Sequence, residues 1–356
     1  MFAFILILMM IIIGSSTVSK PNEFNKNYIS RDGTAAIKGI FVILVFLSHA
    51  VSYFSNYMTG FFDDAYRVMQ NHIGQMVVAM FLFYSGYGIM EQIKKRKNTY
   101  VKSIATKRFP NLFLNYNITS LFYLILAICL GKGLTIKKIL LSIVAWDGIG
   151  QSTWFIFVTL SLYILTFISF YFIGRLKNEK YYIINIIILS VLTAAFIVGL
   201  YFIGKESYWW DTALLFVLGF WYSYFKEYIE KIVMKNDIVY LAAVAAVAVL
   251  YVYTKQLSYK HLIFYTVYGF MFVAAVVIFT MKVEIKSNLL SWFGDHIFSI
   301  YILQRIPLII LHEMGISHAH RYVFVILSFA ITCAIAEVYD VLYAKLSSKI
   351  WKPKKQ

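Results

Sequence analysis

An all-α polytopic membrane protein, a bundle of ten core transmembrane helices with an eleventh at the N-terminus in question, is predicted by three observations. Hydrophobic residues make up 61% of the chain and charged residues only 14%, with a mean hydropathy of +0.72, whereas soluble chains carry roughly 25% charged residues. The apolar residues gather into runs close to the ~20 residues a helix needs to cross a hydrocarbon core about 30 Å thick. The basic residues concentrate in alternate connections between those runs, the pattern that fixes orientation in a bilayer. The 31 Phe, 28 Tyr and 7 Trp suit long membrane interfaces, where amphipathic rings collect. Four prolines and two cysteines exclude a Pro-rich linker protein and a disulfide scaffold. Cys129 and Cys333 lie in apolar runs and read as small buried hydrophobes.

Residues 1–13 are continuously apolar and lead into Gly14-Ser15-Ser16-Thr17. No basic segment precedes them, so a secretory signal fits poorly. Residues 1–19 are expected to form an extra span entering from outside, the other reading being an interfacial extension. The ten core spans fall near 36–54, 75–91, 112–130, 152–174, 181–203, 210–225, 237–254, 261–281, 289–311 and 322–344, within a transmembrane domain over 28–344. A basic tail, 345–356, follows. No stretch is long enough for a soluble catalytic domain, which puts any chemistry in the membrane.

The net charge of +16 would point to nucleic acid in a soluble chain, but here the cations sort by connection. With residue 35 on the inside, the inner segments hold 24 of the 33 Lys and Arg and the outer loops 8. The inner set includes the run from Lys94 to Arg108, then Arg175, Lys177 and Lys180, then Lys226 to Lys235, Lys282 and Lys286, and the tail. The outer set includes Lys132, Lys205, Lys255, Lys260 and Arg321, and Arg305 sits within a span. Residue 35 and the C-terminal tail are therefore expected in the cytoplasm, in a plasma membrane, and no nucleic-acid partner is called for.

Ionisable residues inside a span are costly and are functional candidates by default. Lys38 and His49 are eleven positions apart on the first core span, three turns plus about 20°, so they share a face about 16 Å apart along the axis. Lys38 stands at the inner edge and His49 in the outer half. A basic anchor aligned with an imidazole suits a long anionic cofactor, phosphates at one end and reactive group at the other. A snorkelling lysine and a histidine bonded to a neighbouring helix would give the same spacing.

Four segments in order resemble acyltransferase family 3. They are the Lys38-to-His49 pair, Phe81-Leu82-Phe83-Tyr84-Ser85-Gly86-Tyr87-Gly88, Thr153-Trp154-Phe155 with Tyr163 beyond, and the run from Leu290 to Gln304 containing Gly294, Ser299 and Tyr301. The resemblance covers about 28–344. Two departures stand out: Gln304 occupies a position where the family often has His, and Arg108-Phe109-Pro110-Asn111 keeps one Arg of an Arg-x-x-Arg motif. Gln304 can hydrogen-bond but cannot titrate usefully.

The resemblance implies membrane O-acyltransfer, with acetyl-CoA in the cytoplasm as donor, no metal, and a hydroxyl of a cell-envelope carbohydrate or lipid-linked sugar as acceptor. It implies His49 as catalytic residue, either base or transient acyl carrier. Lys38, Arg31 and Arg108 would bind the CoA phosphates, although the Lys94–Arg108 run also reads as ordinary inner charge against anionic lipids. Ser85, Tyr87, Trp154, Tyr301 and Gln304 would line the substrate path. Ser85-Gly86 equally marks close helix packing, and Tyr301 and Gln304 equally suit interhelical bonds. Asp295, His296 and Glu337 are expected at one depth, as a structural polar cluster. His312, His318 and His320 read as exposed loop residues rather than a zinc site. Asp63 and Asp64 either orient a sugar or are solvated charge. A transporter or flippase of a lipid-linked glycan is the alternative function, and a non-catalytic membrane sensor the third.

Overall fold

The computed structural model describes residues 1–173, 180–259 and 262–351; the expected inner cations Arg175, Lys177, Lys352, Lys354 and Lys355, the Lys180 side chain and the outer Lys260 lie outside the described residues. Among the described residues the chain is helical almost throughout. Helix α1 (Phe2–Ser15) leads into strand β1 (Ser16–Val18), and α2 (Ala35–Val51) into α3 (Phe61–Ile73). Next come α4 (Met76–Ser103), α5 (Phe109–Cys129), the short α6 (Ile136–Ile143), α7 (Trp154–Phe167) and α8 (Lys180–Phe202). Helices α9 (Leu214–Val233), α10 (Asp237–Leu257) and α11 (Leu262–Lys282) precede strand β2 (Val283–Ile285). The chain closes with α12 (Asn288–Asp295), α13 (Ile297–Leu303), α14 (Arg305–Glu313), α15 (Ile316–Ala319) and α16 (Arg321–Ile350).

Local chemistry sets several boundaries. Asn236 caps α10 by accepting from the Val239 N–H at 2.9 Å, and Ser287 caps α12 by accepting from Leu290 at 3.2 Å, each supplying an acceptor for an otherwise orphaned amide. Pro110 stands in the first turn of α5, where its missing N–H costs nothing. A π-helical turn, Ile104–Arg108, joins α4 to α5.

Lateral faces are apolar and open. Ile184, Ile187 and Val191 on α8, Leu241 and Val249 on α10, and Ile326, Val338 and Val341 on α16 are all exposed. A soluble monomer does not tolerate apolar surface on that scale; lipid is its solvent. Cys129 is also exposed, a correction to its expected burial, because the last turn of α5 faces outward.

Connections between helices sort into two ends. At one end Lys282 pairs with Asp237 at 2.6 Å, Lys94 donates to the Ser223 carbonyl, and Lys226 lies over the Tyr28 ring. At the other, Lys255 donates to the Asn71 carbonyl, Lys132 pairs with Glu313 at 3.0 Å and Arg321 with Asp63 at 2.6 Å. These are the two sets into which charge had divided the sequence, here called the basic end and the opposite end. α1 runs between them. Phe2 stacks on Phe62 at the opposite end, and β1 pairs antiparallel with β2 at the basic end, Ser16 facing Ile285 and Val18 facing Val283. Fourteen helical and three extended residues reach about 31 Å together, enough for the hydrocarbon core.

The expectation of ten core spans is met in part. Among the described residues six helical runs are long and apolar enough to cross a membrane, one of them the 69-residue run Phe61–Cys129, and the bent α12–α14 segment raises this to seven at most. α2 has only 17 residues, and α9 carries Lys226, Glu227, Glu230 and Lys231 in its second half. The span expected over 289–311 is broken at His296 by 67°.

Two backbone-close crossings hold the centre. A Cβ on Gly39 would run into the Leu290 carbonyl oxygen, and one on Gly294 into the Ala35 carbonyl, so α2 and α12 touch through glycines. Gly86 sits on the Phe216 carbonyl and Gly219 on that of Phe83, joining α4 to α9 the same way. Small residues at such crossings let helices pack where no hydrophobic force distinguishes neighbour from lipid. Gly39→Val should therefore lower the melting temperature or abolish monodisperse extraction in detergent, since backbone cannot yield as a side chain does. Gly88→Ala, with nothing within 4 Å, should behave as wild type.

Candidate active site

The α2–α12 crossing decides what faces His49. Helix α2 is unbroken from Lys38 to His49, so Lys38 lies at the basic end, half-buried, with Asp295, Arg31 and Asp32 as its charged neighbours. His49 reaches the opposite half of the bundle. There it meets the far arm of the broken span, whose Tyr301 ring centroid is 6.2 Å from the imidazole. Gln304 and Arg305 act on the same imidazole.

His49 and Arg305 line a cavity of about 600 Å³. Two loops at the opposite end wall it, contributing Trp146, Asp147, Gln151 and Trp154 from one side and Lys205, Glu206, Tyr208 and Trp209 from the other. The first loop is pinned by Gln151, whose amide donates to the Tyr116 hydroxyl at 3.2 Å and the Ser120 hydroxyl at 3.1 Å, while its carbonyl accepts from the Ile149 N–H at 3.1 Å. In the second, the Lys205 ammonium sits 4.0 Å above the Trp146 ring and 3.9 Å above Trp209, and donates to the Trp146 carbonyl at 3.0 Å. Desolvation between the indoles pulls the lysine below its ordinary pKa, against the opposing influence of Asp147 and Glu206. Each contact ties one wall to the other.

Around the His49 end, polar atoms are left without partners. The His49 Nδ1, Tyr301 hydroxyl, Gln304 Oε1 and Arg305 Nε are all buried and make no hydrogen bond. The Gln304 amide donates to the Tyr301 carbonyl at 2.9 Å, and the side chain lies beside the imidazole. A buried, unpaired polar group costs about 1–3 kcal/mol, and four of them gather here.

The residues singled out from sequence separate into three places. His49 and Trp154 line the cavity, with Tyr301 and Gln304 close behind. Ser85 and Tyr87 lie on the α4–α9 crossing, where Gly86 meets the Phe216 backbone and Tyr87 packs 6.0 Å from Tyr222. Lys38, Arg31 and Arg108 belong to the basic end. Arg108 stacks over Tyr100 and Tyr163 at 5.7 and 5.6 Å and keeps a buried Nη1 without a partner.

Other expectations fall differently. His296 meets Glu337 at 3.1 Å, and the Ser299 hydroxyl donates to Asp340 at 2.7 Å beside them, while Asp295 stays exposed and outside this cluster. Asp63 is neither solvated nor in the cavity: it is buried between Arg321, at the start of α16, and the Met1 amino group, and paired with both. His312 is half-buried rather than an exposed loop residue, bonded to the Ser317 hydroxyl at 2.6 Å. The wall residues Trp146, Asp147, Lys205, Glu206 and Trp209 were not singled out from sequence as site residues. Their signal was aromatic clustering at two span ends, Trp146-Asp147-Gly148 and Tyr208-Trp209-Trp210-Asp211.

Residues 34–338 match the family model described as an acyltransferase domain, that of acyltransferase family 3. The chain belongs to acyltransferase family 3. Membrane acyl transfer is the activity that accompanies this family, and the match spans every helix that frames the cavity. No curated protein and no solved structure matches the chain. In this acyltransferase the 146–153 loop should depend on Gln151. Gln151→Leu strands a buried hydroxyl and a backbone N–H, at about 1–3 kcal/mol, and should speed hydrogen exchange of the 147–152 amides while leaving α4 and α9 protected.

Proposed function

We propose that the protein is a membrane O-acyltransferase that moves an acyl group, acetyl in the first instance, from cytoplasmic acyl-CoA to a hydroxyl of a cell-envelope glycan or lipid-linked sugar. The observation that carries this reading is His49, set at one end of a polar, tryptophan-walled cavity with its Nδ1 free, on a helix whose other end carries Lys38.

The two ends of α2 suit the two substrates. By the positive-inside rule the basic end faces the cytoplasm, where Lys38, Arg31 and the unpaired Nη1 of Arg108 supply cations for the nucleotide phosphates. From there to His49 is about 16 Å, a length that a pantetheine arm spans. The cavity then opens on the extracytoplasmic side. Trp146, Trp154 and Trp209 offer flat apolar faces to sugar rings, and Asp147 and Glu206 offer acceptors to sugar hydroxyls, the mixture of aromatic wall and sparse polar groups that binding sites use.

His49 takes the acceptor proton as the hydroxyl oxygen attacks the thioester carbon. The C–S bond breaks, and the departing thiolate receives that proton. An imidazole is suited to both steps because its unperturbed pKa lies near neutrality.

A flippase reading would draw on the break at His296, since transporters bind cargo at broken helices. Those breaks come in pairs, and among the described residues one bent pair is present.

Purified protein given labelled acetyl-CoA and envelope glycan should transfer label. His49→Ala should abolish transfer with extraction and monodispersity unchanged; retained turnover would overturn the assignment. Arg108→Ala should raise the KM for acetyl-CoA about tenfold, the scale of a lost charged hydrogen bond, and leave the acceptor KM alone.

A further inference from the structure

Arg305 is a cation that makes no ion pair among the described residues. Among the described residues no carboxylate pairs with it: Glu313 is taken by Lys132 at 3.0 Å and Glu337 by His296 at 3.1 Å. Its Nε is buried with no hydrogen-bond partner. It nonetheless lines the polar cavity together with His49, and its charge acts on that imidazole. Its side chain is half-buried in that cavity, whose carboxylates, Asp147 and Glu206, form no ion pair with it.

The backbone holds it there deliberately. Tyr123 donates to the Ile302 carbonyl at 2.6 Å, fixing the turn that ends α13. Pro307, two residues on, has no N–H to return to the Leu303 carbonyl, so α14 begins afresh at Arg305. Gly150 of the cavity loop rests against the Tyr123 ring, tying this turn to the wall. Arg305 is thereby set on a rigid corner beside His49 rather than on a mobile loop.

The geometry points to Arg305 as a second catalytic residue: its guanidinium holds the acyl carbonyl oxygen as that oxygen becomes an oxyanion. The inference rests on the acyltransferase reading and adds to it the group that bears the developing charge. As the acceptor oxygen bonds to the carbonyl carbon and its proton passes to His49, the carbonyl π pair moves onto oxygen. That oxygen then accepts from Arg305. When the C–S bond breaks, the pair returns to re-form the C=O, the thiolate takes the proton from His49, and Arg305 is freed unchanged. Attack by His49 itself would raise the same oxyanion, so the role holds for either route. The guanidinium, which lines the cavity, is then the donor of a site completed only by the transition state, as preorganised electrostatic stabilisation requires.

The test is steady-state kinetics of Arg305→Ala, Arg305→Gln and Arg305→Lys in the purified full chain, with acetyl-CoA and the acceptor varied separately. Loss of an oxyanion donor costs about 10²–10³ in kcat, so Ala and Gln should fall by that factor with both KM values within about twofold, and Lys should be intermediate. Added guanidinium should restore part of the Arg305→Ala rate, which repair of a merely structural defect would not do. A raised acceptor KM with kcat intact would overturn the proposal and make Arg305 an anchor for an acidic sugar. A kcat within about threefold of wild type in both Ala and Gln would overturn it outright. An inactive wild type strikes the acyltransferase reading instead, and an active wild type with active His49→Ala strikes His49 alone, so the failures are distinguishable.

Discussion

The contact of α2 with α12 through Gly39 and Gly294 is the constraint on which the site depends. Each glycine lies against a carbonyl of the other helix, so the two backbones cannot separate or slide without losing the crossing. Helix α2 carries Lys38 and His49 rigidly. Helix α12 leads through the 67° break into the arm that presents Tyr301, Gln304 and Arg305. Were α2 and α12 farther apart, the imidazole and the arginine would no longer share one cavity. In lipid this closeness comes from packing, because burying apolar surface gains little there.

Polar satisfaction separates scaffold from site. The loop around Gln151, the Asp63–Arg321 pair and the His296–Glu337 cluster place partners around each buried group. At the His49 end of the cavity that rule lapses for four adjoining side chains. Asn185 and Thr193 on α8 are also unpaired, away from the cavity, and nothing in the structure explains them. The contrast matters because an unpaired group in low dielectric is costly.

Charge is arranged by end as well as by pair. The basic end gathers lysines and arginines among tyrosines, with Arg108 between Tyr100 and Tyr163. The opposite end mixes both signs around tryptophan, with Lys205 clamped between two indoles and Asp147 and Glu206 nearby. On the proposed reading, one end would take a polyanion and the other a polyhydroxyl ligand. A single helix joins them.

Composition and hydropathy alone determined that the protein is a helical membrane bundle, because lipid demands helices with satisfied backbones. The alternation of cations sorted its connections into two sets, and the contacts reproduce that division. The Lys38–His49 register was also legible, since a helix fixes the angle between residues eleven apart. The count of ten crossings is not confirmed, and hydropathy does not see the break at His296. The wall of the cavity was not legible. Trp146, Lys205 and Trp209 belong to separate loops whose convergence depends on long-range packing, and the sequence put Arg305 within a span without showing that it shares a cavity with His49. Residues on one helix keep a relation that the sequence encodes; residues on different elements acquire theirs only when the helices meet.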